Sequence, residues 1–189
     1  MKKAYPIFLL LILLGCQSRP KNFTNHYQGT NTGLEKRINI EGYYVSEHSC
    51  DSLFFSMYMF YSDGLFTIAT TSQVSSDLID CFENGGRSTI CKYPTWGIYT
   101  IEGDLIKTQT IRTEGNAFVI FRDYRILPNG NIINVSDYTE YQYTNLAYLK
   151  NYPSFTDNPC KKTAKFYPLK SKRNINDCPL LKKKWFWAK

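Results

Sequence analysis

The sequence predicts an all-β fold of about eight antiparallel strands running up and down. Three observations carry that reading. Tyr and Phe number 15 and 12 in 189 residues, a composition that favours strands. Asp63-Gly64, Gly103-Asp104 and Asn129-Gly130 each sit between aromatic or β-branched runs, the short-range signal of a hairpin. No amphipathic helix of useful length and no repeat of fixed period breaks the pattern. Seven or eight such strands close into a barrel or pack as a sandwich.

The chain divides into three parts. Lys2 and Lys3 precede an apolar run, Ile7 to Leu14, closed by Gly15. Eight helical residues reach about 12 Å, far short of the ~20 apolar residues that span a ~30 Å hydrocarbon core. Residues 1–15 therefore read as a signal peptide. Leu13-Leu14-Gly15-Cys16 resembles the lipobox of bacterial lipoproteins. The resemblance implies cleavage before Cys16, a diacylglyceryl group on its sulfur and an acylated new amino terminus, since stable anchoring takes more than one acyl chain. Gln17 in place of Asp leans, by that family's rule, towards the outer membrane, with the periplasmic or surface face open. Residues 16–37 are polar and rich in Asn, Thr and Gly, which predicts a flexible tether reaching ~25 Å on average. His26 stands isolated in it, without the clustered ligands a metal needs. Residues 38–189 have the size of one domain, C-terminal tail included.

Register follows if each hairpin turn has two residues. Phe55, Met57, Met59, Tyr61, Phe66 and Ile68 then share one apolar face of the first hairpin. Phe54, Tyr58, Phe60 and Leu65 form the other, greasy enough that the C-terminal tail is expected to cover it. In the second hairpin Gly97, Tyr99 and Ile101 face Thr110, Thr108 and Ile106 on the inward side, shared by Arg112. Glu102, Lys107 and Gln109 take the wetter side. In the third, Phe118, Ile120, Arg122, Tyr124 and Ile126 pair with Tyr141, Thr139, Asp137, Val135 and Ile133. Asp123, Arg125, Asn134 and Glu140 face solvent.

Ile40-Glu41-Gly42-Tyr43-Tyr44 resembles a GxW-type first strand with Tyr44 in place of the tryptophan. GIYTIEGDLIKTQTI and RDYRILPNGNII are similar to the meander of lipocalin-like lipoproteins of the Bacteroides type, over about residues 38–141. The resemblance implies an up-and-down barrel, lipocalin-like, whose calyx holds a small apolar molecule.

Residues 71–95 form a long connection in which SSDLIDCF suits one or two helical turns, with Ser75 or Ser76 as N-cap. Connections of this length are functional lids or disordered segments, or this one is an insertion pinned by a disulfide. With Cys16 acylated in an oxidising compartment, five cysteines remain, so at least one is unpaired within the chain. The preferred pairs are Cys81–Cys91 across Gly85-Gly86 and Cys160–Cys178 in the tail, leaving Cys50. The rival is Cys50–Cys160. His48 and Cys50 share one side of an extended chain, but no further catalytic signature joins them. CxxC and HxxxH spacings are absent, so neither zinc nor a cofactor is implied.

Residues 16–140 carry 10 Lys+Arg against 14 Asp+Glu, while residues 141–189 carry 11 against 2. The tail ends Lys182-Lys183-Lys184-Trp185-Phe186-Trp187-Ala188-Lys189. Lysines interleaved with aromatics suit a membrane interface or an anionic partner. Alternatively, the rings pack on the barrel while the lysines stay solvated. The envelope compartment excludes nucleic acid.

The leading expectation is a non-enzymatic, lipid-anchored binding protein for a small amphiphile. Tyr99 and Tyr124 would wall the ligand, Arg112 and Arg122 would hold its carboxylate or phosphate, and Asp137 would orient Arg122. An unpaired charge on an apolar face is costly, which motivates that assignment; a self-satisfied Arg122–Asp137 pair in a filled core is its rival. The second expectation is an interaction subunit of an outer-membrane complex. No GxSxG, HExxH or P-loop motif supports an enzyme.

Overall fold

The structure is a computed structural model. It describes residues 19–47, 55–71, 76–84, 95–112, 118–139 and 163–188. Cys16 and the lipobox, His48, Cys50, Cys91 and Cys160 lie outside the described residues, as does the side chain of Cys81.

Eight strands form a closed antiparallel barrel in sequence order. They are β1 (Gly42–Glu47), β2 (Phe55–Phe60), β3 (Leu65–Thr71), β4 (Thr95–Glu102), β5 (Leu105–Arg112), β6 (Phe118–Ile126), β7 (Ile132–Thr139) and β8 (Thr163–Pro168). The barrel closes where β8 pairs with β1, Gly42 opposite Pro168 and Val45 opposite Lys165. At that seam a Cβ on residue 42 would run into the Tyr167 carbonyl, so only glycine lets the strands meet. One helix, α1 (Ser76–Asn84), interrupts the strand order within the long third connection, two residues beyond the segment the sequence marks.

The second hairpin has the predicted register, with Gly97 on Thr110, Tyr99 on Thr108 and Ile101 on Ile106 around Gly103-Asp104. The first does not. The Tyr61 N–H bonds the Leu65 carbonyl at 3.0 Å, enclosing Ser62-Asp63-Gly64 as a three-residue loop with Gly64 at φ +94°. Such loops place a left-handed residue before the returning strand. The extra residue pairs Phe60 with Phe66 and Tyr58 with Ile68. A one-residue slip exchanges faces: Phe66 and Ile68 join Tyr58 and Phe60, while Leu65 joins Met57 and Met59. The Tyr58 face, expected outside, is the inside.

The third hairpin mixes both outcomes. Ile120 meets Thr139 and Arg122 meets Asp137 as predicted, but Tyr124 meets Asn134 and Ile126 meets Ile132. Pro128-Asn129-Gly130 is again a three-residue loop, closed by the Leu127 N–H on the Asn131 carbonyl at 2.8 Å. A bulge that leaves Val135 without an opposite residue restores the register beyond it. Asn134 thereby leaves the predicted solvent side for the inward row.

Two apolar cores result. The inner one contains Tyr44, Tyr58, Phe60, Phe66, Tyr99, Ile106, Tyr124 and Ile132, plugged by Leu34, Ile38 and Ile40. The outer one lies on the barrel wall, where Met57, Met59, Leu65, Trp96, Ile98, Ile111, Val119 and Phe121 are covered by other parts of the chain. Helix α1 covers one side with Leu78 and Phe82, the latter stacked on Tyr43 at 6.2 Å. The tail covers the other with Cys178, Leu180 and Phe186. Phe186 is fully buried and Trp185 half-buried, but Trp187 stays 42% exposed, so the tail's aromatics divide between wall and solvent.

Residues 19–37 are folded rather than a tether. Phe23 and Leu34 are fully buried and Tyr27 nearly so. Tyr27 pairs with the tail through the Tyr27 N–H on the Phe186 carbonyl at 2.8 Å and the Ala188 N–H on the Tyr27 carbonyl at 2.9 Å. Gln109, predicted wet, is buried beneath this segment. Its amide oxygen accepts the N–H groups of Thr24 and Asn25 at 3.0 and 3.2 Å, and its nitrogen donates to the Thr24 hydroxyl at 2.8 Å. A few aromatics among polar residues suffice once their hydrogen bonds are met.

Cys178 is a free thiol, fully buried against the outer wall; Cys160, its expected partner, lies outside the described residues. Burial pushes the Cys178 pKa from 9.0 up to about 11.

Two predictions follow from these placements. Leu34→Ala is expected to cost about 2–5 kcal/mol in urea unfolding, the usual range for an emptied core site; a tether residue would cost nothing. For Cys178 the folded state keeps a proton that the unfolded chain releases, so stability is full below about pH 9 and declines as pH approaches 11. Tm scans of Cys178→Ala are expected to flatten the first part of that decline, before the tyrosines titrate.

Candidate functional site at the loop end of the barrel

The two ends of the barrel differ because the connections differ. Turns 61–64, 103–104 and 127–131 gather at one end, where Leu34, Ile38 and Ile40 enter as a plug. The strand ends that lead into the β1–β2, β3–β4, β5–β6 and β7–β8 connections lie at the other.

The plugged end is built for closure. The Tyr99 hydroxyl donates to the Tyr61 carbonyl at 2.6 Å and shares a 2.7 Å hydrogen bond with the Thr32 hydroxyl. Burial pushes its phenol well above the ordinary range. Tyr99 is thus a post holding the N-terminal segment, not the ligand wall expected from the sequence. Tyr44, in the tryptophan's place, donates to the carbonyls of Asn39 and Gly130 at 2.9 and 3.2 Å, tying plug to turn.

Above the plug an aromatic layer crosses the barrel. Tyr58 and Tyr124 meet edge to face at 4.9 Å, Phe60 and Phe66 lie 5.0 Å apart, and Phe66 lies 6.1 Å from Tyr124. Tyr124 is fully buried here, a floor rather than a wall. Tyr58 was missed from sequence because the slipped register assigned it to the outside.

Beyond the floor the inward positions turn polar. The Ser46 and Tyr58 hydroxyls bond at 2.8 Å, and Ser56 and Thr70 at 3.3 Å. Thr108 and Thr110 donate to the carbonyls of Arg122 and Ile120 at 3.0 and 3.4 Å. Register sets Arg122 opposite Asp137 and Arg112 opposite Phe118, so the backbone carries all three predicted charged residues to this half. The side chains of Arg112 and Asp137 lie outside the described residues.

Strand β6 shows what this end can do. Its outward Val119 and Phe121 are 0% and 4% exposed, whereas its inward Phe118, Ile120 and Arg122 are only half-buried. Over residues 118–122 the outward side chains are thus drier than the inward ones. Helix α1 does not lie over this mouth; it runs down the outer wall, where Glu83 accepts the Lys170 N–H at 2.8 Å beyond the end of β8. A cleft of about 550 Å³ lies outside the plugged end, bordered by Arg37, Tyr44 and Asn129, far from both predicted arginines. Among the described residues no three metal-ligating side chains cluster.

Fold and site together define a lipocalin-like closed β-barrel with one plugged end and one polar, looped end. Comparison with protein-family models, with curated proteins and with solved structures returned no match.

Tyr99→Phe is expected to destabilise the protein by about 0.5–1.5 kcal/mol, because it removes the hydroxyl that bonds the Tyr61 carbonyl and the Thr32 hydroxyl, while the Tyr61 carbonyl keeps the Gly64 N–H. Chemical denaturation measures this.

Proposed function

We propose that this protein is a non-enzymatic, lipid-anchored barrel of the bacterial cell envelope, in the outer membrane, that binds a small amphiphile through its looped end. The observation that carries the reading is the inverted exposure of β6, where Phe118, Ile120 and Arg122 face inward yet reach solvent. In this reading the apolar part of the ligand rests over Tyr58, Phe66 and Tyr124. Arg122 meets its carboxylate or phosphate, with Arg112 and Asp137 brought to the same end by register. The lipobox-like Leu13-Leu14-Gly15-Cys16 supports the anchor.

A second reading, an interaction subunit of an envelope complex with a filled barrel, draws on the Ser46–Tyr58 bond, which satisfies two interior hydroxyls without a ligand. Native mass spectrometry of protein extracted from membranes separates the two. Ligand binding predicts a bound amphiphile, and titration with a fluorescent fatty acid is expected to weaken roughly tenfold or more in Arg122→Gln, the worth of a charge-assisted hydrogen bond. No bound mass and no titration would leave the interaction reading standing.

A further inference from the structure

The folding of residues 19–37 changes where an anchored barrel must sit. A flexible tether would let it ride well clear of the bilayer. Instead Arg19, three residues after Cys16, is already held: its guanidinium donates to the Phe23 carbonyl, to the Thr24 carbonyl at 3.0 Å, and lies 3.2 Å from His26 Nε2. Three residues span at most ~11 Å. A lipid on Cys16 therefore lies within about that distance of Arg19, and brings the wall around Arg19 within reach of the headgroups.

That wall is the seam between the N-terminal segment and the tail. Phe23 packs on Trp185 and Phe186 at 5.6 and 5.9 Å, and Tyr27 meets the Trp187 ring at 4.9 Å. Lys21, Lys182 and Lys184 are exposed along it, Lys183 is half-buried, and among the described residues none of the four forms an ion pair. Trp187 is 42% exposed although its indole N–H already donates to the Leu181 carbonyl at 2.9 Å. An indole with its polar edge satisfied and its ring uncovered, flanked by uncommitted lysines, has the chemistry of an interfacial anchor.

We propose that this seam, Lys21 with Lys182–Trp187, is a membrane-docking face that seats the side wall of the barrel on an anionic lipid surface. The proposal rests on the acylation of Cys16 in the reading above and adds what that reading lacks, the orientation. In this placement the looped end would stand beside the headgroups, where an amphiphile would enter from the lipid. The charge is the right sign, since each lysine near an anionic surface contributes about fivefold in affinity.

The test uses the acylated protein from membranes, reconstituted into vesicles of brominated phosphatidylcholine, with or without phosphatidylglycerol. Flotation with phosphatidylcholine alone reads the anchor. Quenching of tryptophan fluorescence reads the docking. The expected result is flotation with both vesicles, but quenching that is strong only with phosphatidylglycerol and relieved by high salt. That quenching is lost in Trp187→Phe, and the docking equilibrium falls roughly thirtyfold in Lys182→Gln/Lys184→Gln. Flotation without quenching on anionic vesicles overturns the docking face while leaving the anchor intact, and so does quenching indifferent to salt and lysines. A protein partner that co-purifies on the seam and shields Trp187 overturns it too. Failure to float on phosphatidylcholine overturns the anchor, and this placement with it.

Discussion

The rest of the structure depends on one constraint: strands β2, β3 and β4 are apolar on both faces. Closing a barrel buries only the inner face of each strand. Here Met57, Met59 and Leu65 point outward and are still fully buried. Each such side chain is worth about 1.5–3 kcal/mol when removed from water, so the fold must supply a second layer. It does so from three remote stretches, α1, residues 19–27 and residues 178–187. The last two hold each other through the backbone bonds of Tyr27 with Phe186 and Ala188. Neither stretch has a regular element long enough to stand alone, so each is ordered by the wall and by the other.

The inner core inherits its asymmetry from the same arrangement. After covering the wall, the N-terminal segment continues past Thr32, bonded to Ser62 and Tyr99, and inserts Leu34, Ile38 and Ile40 into one end. That insertion brings apolar residues to the tight-turn end only. The opposite end receives the hydroxyls of Ser46, Ser56, Thr70, Thr108 and Thr110 and the guanidinium-bearing strand positions instead. Several of these hydroxyls are satisfied within the barrel, so the polarity costs little stability.

What was legible in the sequence follows from how local each signal is. Strand number, order and the second hairpin were legible because Gly103-Asp104 is a two-residue turn and its register needs nothing beyond itself. The first and third hairpins were not, because Asp63-Gly64 and Asn129-Gly130 occupy the last two places of three-residue loops, and the same dipeptide serves either length. Both faces of the first hairpin are greasy, so hydrophobicity could not correct the slip. In the third hairpin the slip cancels at Val135, which is why Arg122 opposite Asp137 was legible while Asn134 was not. The tether was misjudged because its composition is polar on average. Phe23, Tyr27 and Leu34 carry the packing, and the buried amide of Gln109 meets the backbone donors around them; no local pattern announces a contact 85 residues away.

The covered wall also narrows where recognition can occur. One end is plugged by Leu34, Ile38 and Ile40, and the wall is dressed by α1 on one side and by the joined termini on the other. In the proposed reading the looped end would take the ligand and the dressing would meet the lipid surface, its outer side bearing lysines and Trp187 while its inner side packs on the barrel. The two roles are mechanically coupled in the proposed reading. The segment that would hold the barrel against the lipid is the one whose continuation plugs it, so hydrogen bonds at Tyr27 and Thr32 link the anchored end to the tail and to Tyr99. A barrel on a loose tether would have no such link. Folding the tether exchanges reach for a fixed orientation, and a binding mouth that must meet lipid-borne molecules gains more from orientation than from reach.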